Sequence, residues 1–453
     1  MEVAEQALPP LRRRLTNGVL AKGFSQGSQV FARLAEVPLF LAFWGSGLFG
    51  EWLLITAIPA CLSLSDLGFA GAANRDMAMR VARGDRDGAL GVFRSASLLI
   101  LGLSLALAGF FVSLVALLPL ASVLELSRIG KDTMVFAVLL LGLKFVVESQ
   151  SRLLFGGFYC VRRYSRGFLV LGAVRIGQLL STAFALMSGG GPIAVAAAMF
   201  GAELAGYFAM HVVLRRTVPW LSYGTSGVGR DMVEKLVGPA IAGMAIPLGM
   251  ALSHQGVRLV IGMLLGPAAV VVFTTHRQLT RTVSFVVSLA HPVQAELSTL
   301  YDRANLAPFR RLARLAFRLL AGVVLGAAMV LAVMGGTVFW IWAAGEVAFD
   351  LSLFGLLLVA AVAESMWLAV FPPVIATNRH SRSARAYVLL NLTLILMVWF
   401  SAHMGLPTVA AILVVVEMVF FGVVLREAIA VTRDTYAGWL RAVLFPALRS
   451  EAR

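Results

Sequence analysis

The chain has 453 residues, of which 59% are hydrophobic and 13% charged, against about a quarter charged in an ordinary globular protein. This composition excludes a water-soluble enzyme and points to a polytopic membrane protein solvated mostly by lipid. The net charge of +15 is not a nucleic-acid signature, because the cations alternate with long apolar runs as membrane topology requires. Cys61 and Cys160 lie far apart in apolar stretches and build neither a disulfide framework nor a Cys-rich metal site.

Apolar runs of about 20 residues or more, matched to bilayer thickness, predict twelve spans: 19–46, 49–73, 93–118, 133–158, 167–188, 192–214, 236–264, 268–298, 314–342, 350–376, 385–403 and 407–431. Turn chemistry separates several of them, as in Gly45-Ser46-Gly47, Ser188-Gly189-Gly190-Gly191-Pro192, Gly266-Pro267 and Gly405-Leu406-Pro407. The distribution of cations tests this partition independently. Alternate junctions are basic: Arg12 to Arg14, Arg75 to Arg94, Arg162 to Arg166, Arg215 to Lys235, Arg303 to Arg318, Arg379 to Arg385, and the tail from Arg426. The intervening loops hold Arg128 and Lys131 alone. By the positive-inside rule both termini face the cytoplasm. Residues 1–50 lack the short apolar core and small-residue cleavage site of a secretory signal.

Sliding the chain along itself by about 218 residues superposes the first six spans on the last six. Phe93-Arg94 then falls beside Phe309-Arg310. Because six is even, the two halves enter from the same side, which makes a parallel repeat with a central cavity expected between the lobes. The expected fold class is therefore all-α integral membrane, with about 12 transmembrane helices in two six-helix lobes and cytoplasmic N and C termini. The expected division is a cytoplasmic segment (1–18), an N-lobe (19–214), a cytoplasmic linker (215–235), a C-lobe (236–431) and a cytoplasmic amphipathic tail (432–453). In that tail Tyr436, Trp439, Leu440, Val443, Leu444 and Leu448, set among Arg433, Arg441 and Arg449, suit a helix lying in the membrane interface.

Three stretches resemble a known family. Gly47-Leu48-Phe49-Gly50-Glu51-Trp52-Leu53, Ser63-Leu64-Ser65-Asp66-Leu67-Gly68-Phe69 and Arg83-Gly84-Asp85 resemble the first repeat of the polysaccharide transporter family, which includes O-antigen flippases. That family lies within the multidrug/oligosaccharidyl-lipid/polysaccharide exporter superfamily. Gly266-Pro267-Ala268-Ala269-Val270-Val271-Val272-Phe273 is similar to its corresponding turn in the second half, with Val272 where a small residue is more usual. The resemblance implies a multi-pass protein of the bacterial inner membrane. It would carry a lipid-linked oligosaccharide on undecaprenyl diphosphate, an O-antigen or exopolysaccharide repeat unit, to the outer leaflet by alternating access. The implied partners are that substrate, membrane lipids and polysaccharide assembly proteins, with no nucleic acid and no cofactor. A cation-coupled small-molecule (multidrug) exporter of the same superfamily is the alternative with the same span count. A polymerase or ligase of polysaccharide assembly is the enzymatic alternative, disfavoured by the short outer loops.

Moving a diphosphate amphiphile through hydrocarbon requires cations inside spans, and each costs roughly 2.5–3.5 kcal/mol at a helix centre facing lipid. Arg33, Lys144, Arg152, Arg175, Arg258, Arg277 and Arg281 are such cations, set against Glu36, Asp66, Glu148, Glu203, Glu364 and Glu417. Lys144, Glu148 and Arg152, like Arg33 and Glu36, are spaced to pair along one helix face. In span eight, Arg277, Arg281, Ser284, Ser288 and His291 recur at intervals of four and three with no acid on that face, and in span one Lys22, Gln26, Gln29, Arg33 and Glu36 recur at the same spacing. Read as cavity-lining stripes, they make Arg33, Arg175, Arg258, Arg277, Arg281, Ser284, Ser288, Gln26 and Gln29 the candidate substrate contacts. The bland alternative is polar glue between helices, with Arg277 and Arg281 paired to a buried acid on another helix, Glu364 or Glu417. Glu36 and Asp66 are the candidates for ion coupling. No phosphate-binding GxxxxGK[ST] and no metal-ligand spacing among the histidines is present. Asp85-Arg86-Asp87 is read as a loop cap, not as a sugar-nucleotide DxD.

The topology has a direct test. Reporters fused after Gly84, Arg163 or Arg311 should report cytoplasm, and those at Gly190, Gly345 or Gly405 the outside. Inversion at any two of these sites would break the twelve-span reading.

Overall fold

The computed structural model describes residues 11–60, 68–301, 305–377 and 380–439. All regular structure among them is helical, as expected of a chain whose backbone polar groups must bond internally because lipid offers no partner. In order these are α1 (Leu11–Ala60), α2 (Phe69–Ala82), α3 (Arg86–Leu117), α4 (Lys131–Cys160), α5 (Tyr164–Met187), α6 (Pro192–Thr217), α7 (Arg230–Ala251), α8 (Val257–Thr280), α9 (His291–Leu300), α10 (Ala307–Trp342), α11 (Leu351–Val370), α12 (Ser381–Ser401) and α13 (Leu406–Thr432). A π-turn, Leu252–Gly256, joins α7 to α8, and a 3-10 segment, Arg281–Ala290, joins α8 to α9.

Nine helical stretches among the described residues are long and apolar enough to cross a membrane. Two of these are double. Gly45 (φ 65°, ψ 176°) divides α1, and Gly266 (φ 79°, ψ 172°) divides α8. Each therefore separates two spans with no loop between them. The 30-residue α4, charged at its centre, brings the spans to twelve. Both glycines occupy a region essentially closed to residues with a Cβ, and they fall at matching places in the two halves. The repeat recurs at the left-handed residues Glu125 and Ala344, and at Gly189 and Gly405.

The chain forms two compact units. The first comprises residues 1–44 and 55–247, the second residues 45–54 and 248–453. Within the first, α4 packs on α2, α3 and α6; within the second, α11 packs on α8, α10 and α13. The pairs α4 with α6 and α11 with α13 share the most extensive contacts of the molecule. Residues 45–54 are tightly seated in the second unit. A methyl group at Gly50 would lie 2.5 Å from the Pro267 carbonyl oxygen, and one at Gly262 would meet the Leu54 side chain.

Each half of the repeat also ties down the segment that follows its sixth span, using arginines near the start of its third. In the first, Arg94 Nε donates to the Ser222 carbonyl (3.0 Å), Nη1 to the Ser226 carbonyl (3.0 Å) and Nη2 to Ser222 Oγ (3.1 Å). In the second, Arg310 donates to the Thr432 carbonyl (3.1 Å) and Arg314 to Asp434 (2.6 Å). Burial pushes the Asp434 carboxyl up, but the Arg314 hydrogen bond, the Thr435 N–H and the charges of Arg314 and Arg310 outweigh it and hold the carboxyl below its usual range. Trp439, expected in the membrane interface, is instead 2% exposed and packs on Phe317 with ring centroids 5.3 Å apart. The rest of that expected helix lies outside the described residues.

A second expectation fails in span eight. The stripe through Ser288 and His291 assumed α-helical spacing, but the backbone tightens to a 3-10 helix over Arg281–Ala290. Pro292, just beyond it, has no backbone N–H to give, and Thr282, Val283 and Val287 are stiff, β-branched residues. At three residues per turn, Arg281 stays in line with Ser284 but not with Ser288, whose side chain lies outside the described residues.

The two hinge glycines carry a prediction of opposite sign to that of an ordinary helical glycine. Gly45→Ala and Gly266→Ala should each cost about 1–3 kcal/mol. Gly322→Ala, in α10 where an added methyl meets nothing within 4 Å, should gain about 0.5–1 kcal/mol. Thermal unfolding in detergent reads all three, and equal effects would refute the hinge geometry.

Candidate functional site

The interior charges assemble on the central helix of each unit. In the first unit Glu148 of α4 accepts from Lys144 Nζ (3.1 Å) and Arg152 Nη2 (3.1 Å), both one turn away on the same helix, and from Arg175 Nη2 (3.0 Å) on α5. Arg175 Nη1 also donates to Gln178 Oε1 (2.9 Å). Gln178 in turn donates to Glu203 on α6, which also accepts from Ser151. Lys144, Glu148, Gln178 and Glu203 are all buried. Glu36 of α1 lies within electrostatic reach of Arg33, Lys144 and Arg175. Thus a charged network joins α1, α4, α5 and α6.

In the second unit Glu364 of α11 holds Arg281 through both oxygens, at 3.2 Å to Nε and 3.0 Å to Nη2. This fork-on-fork geometry is the strongest that arginine makes with a carboxylate. Ser284 accepts from Ser365 (3.0 Å). Arg277 donates to the Ser253 carbonyl (2.7 Å) and hydroxyl (2.9 Å) at the π-turn and lies 5.7 Å from the Phe273 ring centre. Glu417 of α13 accepts from Trp367 Nε1 (2.8 Å), above a buried cluster of Trp367, Tyr387 and Phe420. Arg277, Arg281, Glu364 and Glu417 line a void of about 10 Å³, about the room one water needs.

The spacing of Lys144, Glu148 and Arg152 closes into the ion pairs that it suggested. The partner of Arg175, Glu148, arrives from a neighbouring helix and was not legible, whereas Arg281 takes Glu364, one of the two acids that the structural alternative offered it. These two arginines are therefore not unpaired cations. Arg33 is exposed on α1, while Gln26 and Gln29 are half-buried there. Asp66 lies outside the described residues. Arg258, just beyond the π-turn, keeps a buried Nε with no hydrogen-bond partner, and nearby Gln255 keeps a buried Oε1 in the same condition. A π-turn widens a helix by one residue and often marks a functional site. No spacing rule finds one in a sequence.

Asp85 is a cap. Its Oδ1 accepts the Gly88 N–H (2.8 Å) and its Oδ2 accepts Arg80 (2.9 Å), which hold the carboxyl below its usual range. Among the described residues no group of three His, Cys, Asp or Glu is placed to hold a metal ion.

The fold is that of the MATE transporters. The chain is similar to the inward-facing form of a multidrug resistance MATE family transporter of the MOP superfamily, with a TM-score of 0.67 and 15% identity over 93% of this chain and 99% of that one. It is similar to a MATE protein in the bent conformation (TM-score 0.67, 12% identity, 95% and 97% of the two chains). It is similar too to a MOP superfamily transporter from Pyrococcus furiosus described by the reverse polarity of its binding pocket (TM-score 0.63, 13% identity, 94% and 97%). No family model and no curated protein matches the sequence. The likeness establishes a multi-pass, all-α architecture of this superfamily's kind; nothing in it singles out the polysaccharide branch.

The ion pair on α11 has a measurable consequence. Removing either partner strands a buried charge, so Arg281→Ala and Glu364→Ala should each cost about 3–5 kcal/mol and depress accumulation. The double variant Arg281→Met/Glu364→Leu should recover most of that loss. Single variants as stable as the parent would show that the pair does not hold the 3-10 segment to α11.

Proposed function

We propose that the chain is an exporter of the MOP superfamily that moves small amphiphilic compounds across the bacterial inner membrane by alternating access, driven by proton entry. The observation that carries this reading is the likeness to MATE transporters over nearly the full length of both chains. The disposition of charge supports it. A lipid-linked diphosphate calls for several unpaired cations, but Arg175 and Arg281 are neutralised by Glu148 and Glu364 and Arg277 is spent on Ser253. Arg258 retains an unpartnered buried nitrogen and suits a cargo with a single anionic or strongly accepting group. Gln255 beside it offers a neutral contact.

Proton coupling falls to Glu417. Glu364 is locked by a bidentate arginine, whereas Glu417 is held by the neutral Trp367 indole and borders the same water-sized void. It is the carboxylate of that pair that can lose and regain a proton without breaking an ion pair.

The test is efflux from inverted vesicles under an imposed pH gradient, using fluorescent amphiphiles of either charge. Arg258→Ala should slow export of the anionic probe by about 10- to 150-fold, the equivalent of one charge-assisted hydrogen bond of about 1.5–3 kcal/mol, at unchanged protein level. Arg258→Lys should retain part of it. Glu417→Gln should abolish the response to the gradient. Restoration of glycan export in a flippase-deficient strain, with no efflux of either probe, would overturn the proposal in favour of the lipid-linked oligosaccharide.

A further inference from the structure

The first unit contains a crevice of about 410 Å³ that the transport reading does not use. It lies between α3 and α6, with α4 behind it and the segment after α6 across one end. Leu98, Leu101, Val146, Val147 and Leu204 form its walls. Leu98 and Leu101 are 44% and 37% exposed, so the apolar side opens at the surface. Ser97 and Gln150 at the back are spent on each other, Ser97 Oγ donating to Gln150 Oε1 (3.1 Å) and Gln150 Nε2 to the Ser97 carbonyl (3.2 Å).

The other end is polar. Arg94, Tyr207 and Tyr223 meet there. Arg94 Nη2 makes one hydrogen bond, to Ser222 Oγ, and has a second N–H to give. One hydrogen bond joins the Tyr207 and Tyr223 hydroxyls (3.0 Å), which leaves one phenol hydrogen of the pair free. His211 stacks on both tyrosines, and its buried Nδ1 has no partner. A cationic donor and a phenol donor therefore point toward one end of an apolar slot with no carboxylate among the residues lining it.

Depth identifies the ligand. Helix α3 has 32 residues and is about 48 Å long, against about 30 Å of hydrocarbon. Centred in the bilayer, it projects about 9 Å at each end, and Arg94 lies about 12 Å from the Arg86 end, at the edge of the hydrocarbon. Leu98 and Leu101 lie one and two turns deeper. We propose that the crevice binds an anionic phospholipid, its acyl chain against Leu98, Leu101, Val147 and Leu204 and its phosphate on Arg94 and Tyr223. The corresponding place after α13 differs: there Trp439 is buried on Phe317.

The experiment is native mass spectrometry of the full chain in mild detergent, with phosphatidylglycerol or phosphatidylcholine added at equal concentration. One phosphatidylglycerol should be retained per chain, about tenfold more strongly than phosphatidylcholine. Leu101→Trp, which fills the slot, should remove retention of both. Tyr223→Phe, which deletes one oxygen from a ring at the surface, should abolish the preference while leaving acyl binding, and it decides the matter if the tryptophan variant fails to accumulate. Equal retention of the two lipids, undiminished retention in both variants, or a second copy of the chain in place of lipid would each overturn the proposal. None of these readings depends on what the protein transports.

Discussion

A carboxylate buried among membrane helices must bring a counter-charge or neutral donors with it, because hydrocarbon supplies neither. That requirement shapes the centre of both units. The central helices α4 and α11 carry Glu148 and Glu364 at matching places of the repeat, and their principal packing partners α6 and α13 carry Glu203 and Glu417. Neutralisation differs between the halves. Glu148 draws on cations one turn away along its own helix and on Arg175 from the next. Glu364 depends on one arginine from a helix distant in sequence. The first arrangement is partly built as soon as α4 forms, whereas the second exists only once the 3-10 segment after α8 has packed on α11. Breaking a buried pair is far more costly than replacing it whole, so the second pair works as a lock on tertiary structure.

The same division explains what the sequence could disclose. Twelve spans, the turns between them and the internal repeat are properties of local hydropathy and glycine placement, and they are legible from composition along the chain. Lys144, Glu148 and Arg152 were legible as a group because their spacing places them on one helix face. The partner of Arg281 was legible only as a choice between two acids, Glu364 and Glu417, because nothing on its own helix shows which of them will face it. The 3-10 segment was missed for a different reason: periodicity extrapolates an ideal helix, and Pro292 alters the helix on the side that precedes it. The π-turn behind Arg258 leaves no residue signature at all. The family resemblance reaches the superfamily's architecture, but cargo is decided by unpaired groups, and pairing is a long-range property.

The polar segments at the ends of the units show one solution used twice. Arginines in the third span of each half hold the chain that leaves its sixth. Such anchoring fixes a segment that would otherwise spend its backbone hydrogen bonds on water, and it does so with donors that are always charged. The two halves then diverge in what the anchored segment covers. After α13 a tryptophan is buried against α10; after α6 a tyrosine leaves its ring at the edge of an open slot. Duplication preserved the clamp and freed one copy of the surface beneath it to become a recognition site.

Gly45 is also the residue at which the chain leaves one compact unit for the other, since residues 45–54 group with the carboxy-terminal half. This stretch sits against Pro267 and Gly262 so closely that an added methyl group would collide. The halves are consequently interleaved and not simply strung end to end. Proteolytic nicking between α6 and α7 would leave the fragments bound by that stretch, with no covalent link needed to keep them together. Two separately synthesised halves, in contrast, would each fold with a defect: one with nearly three unburied helical turns, the other with the groove those turns should fill.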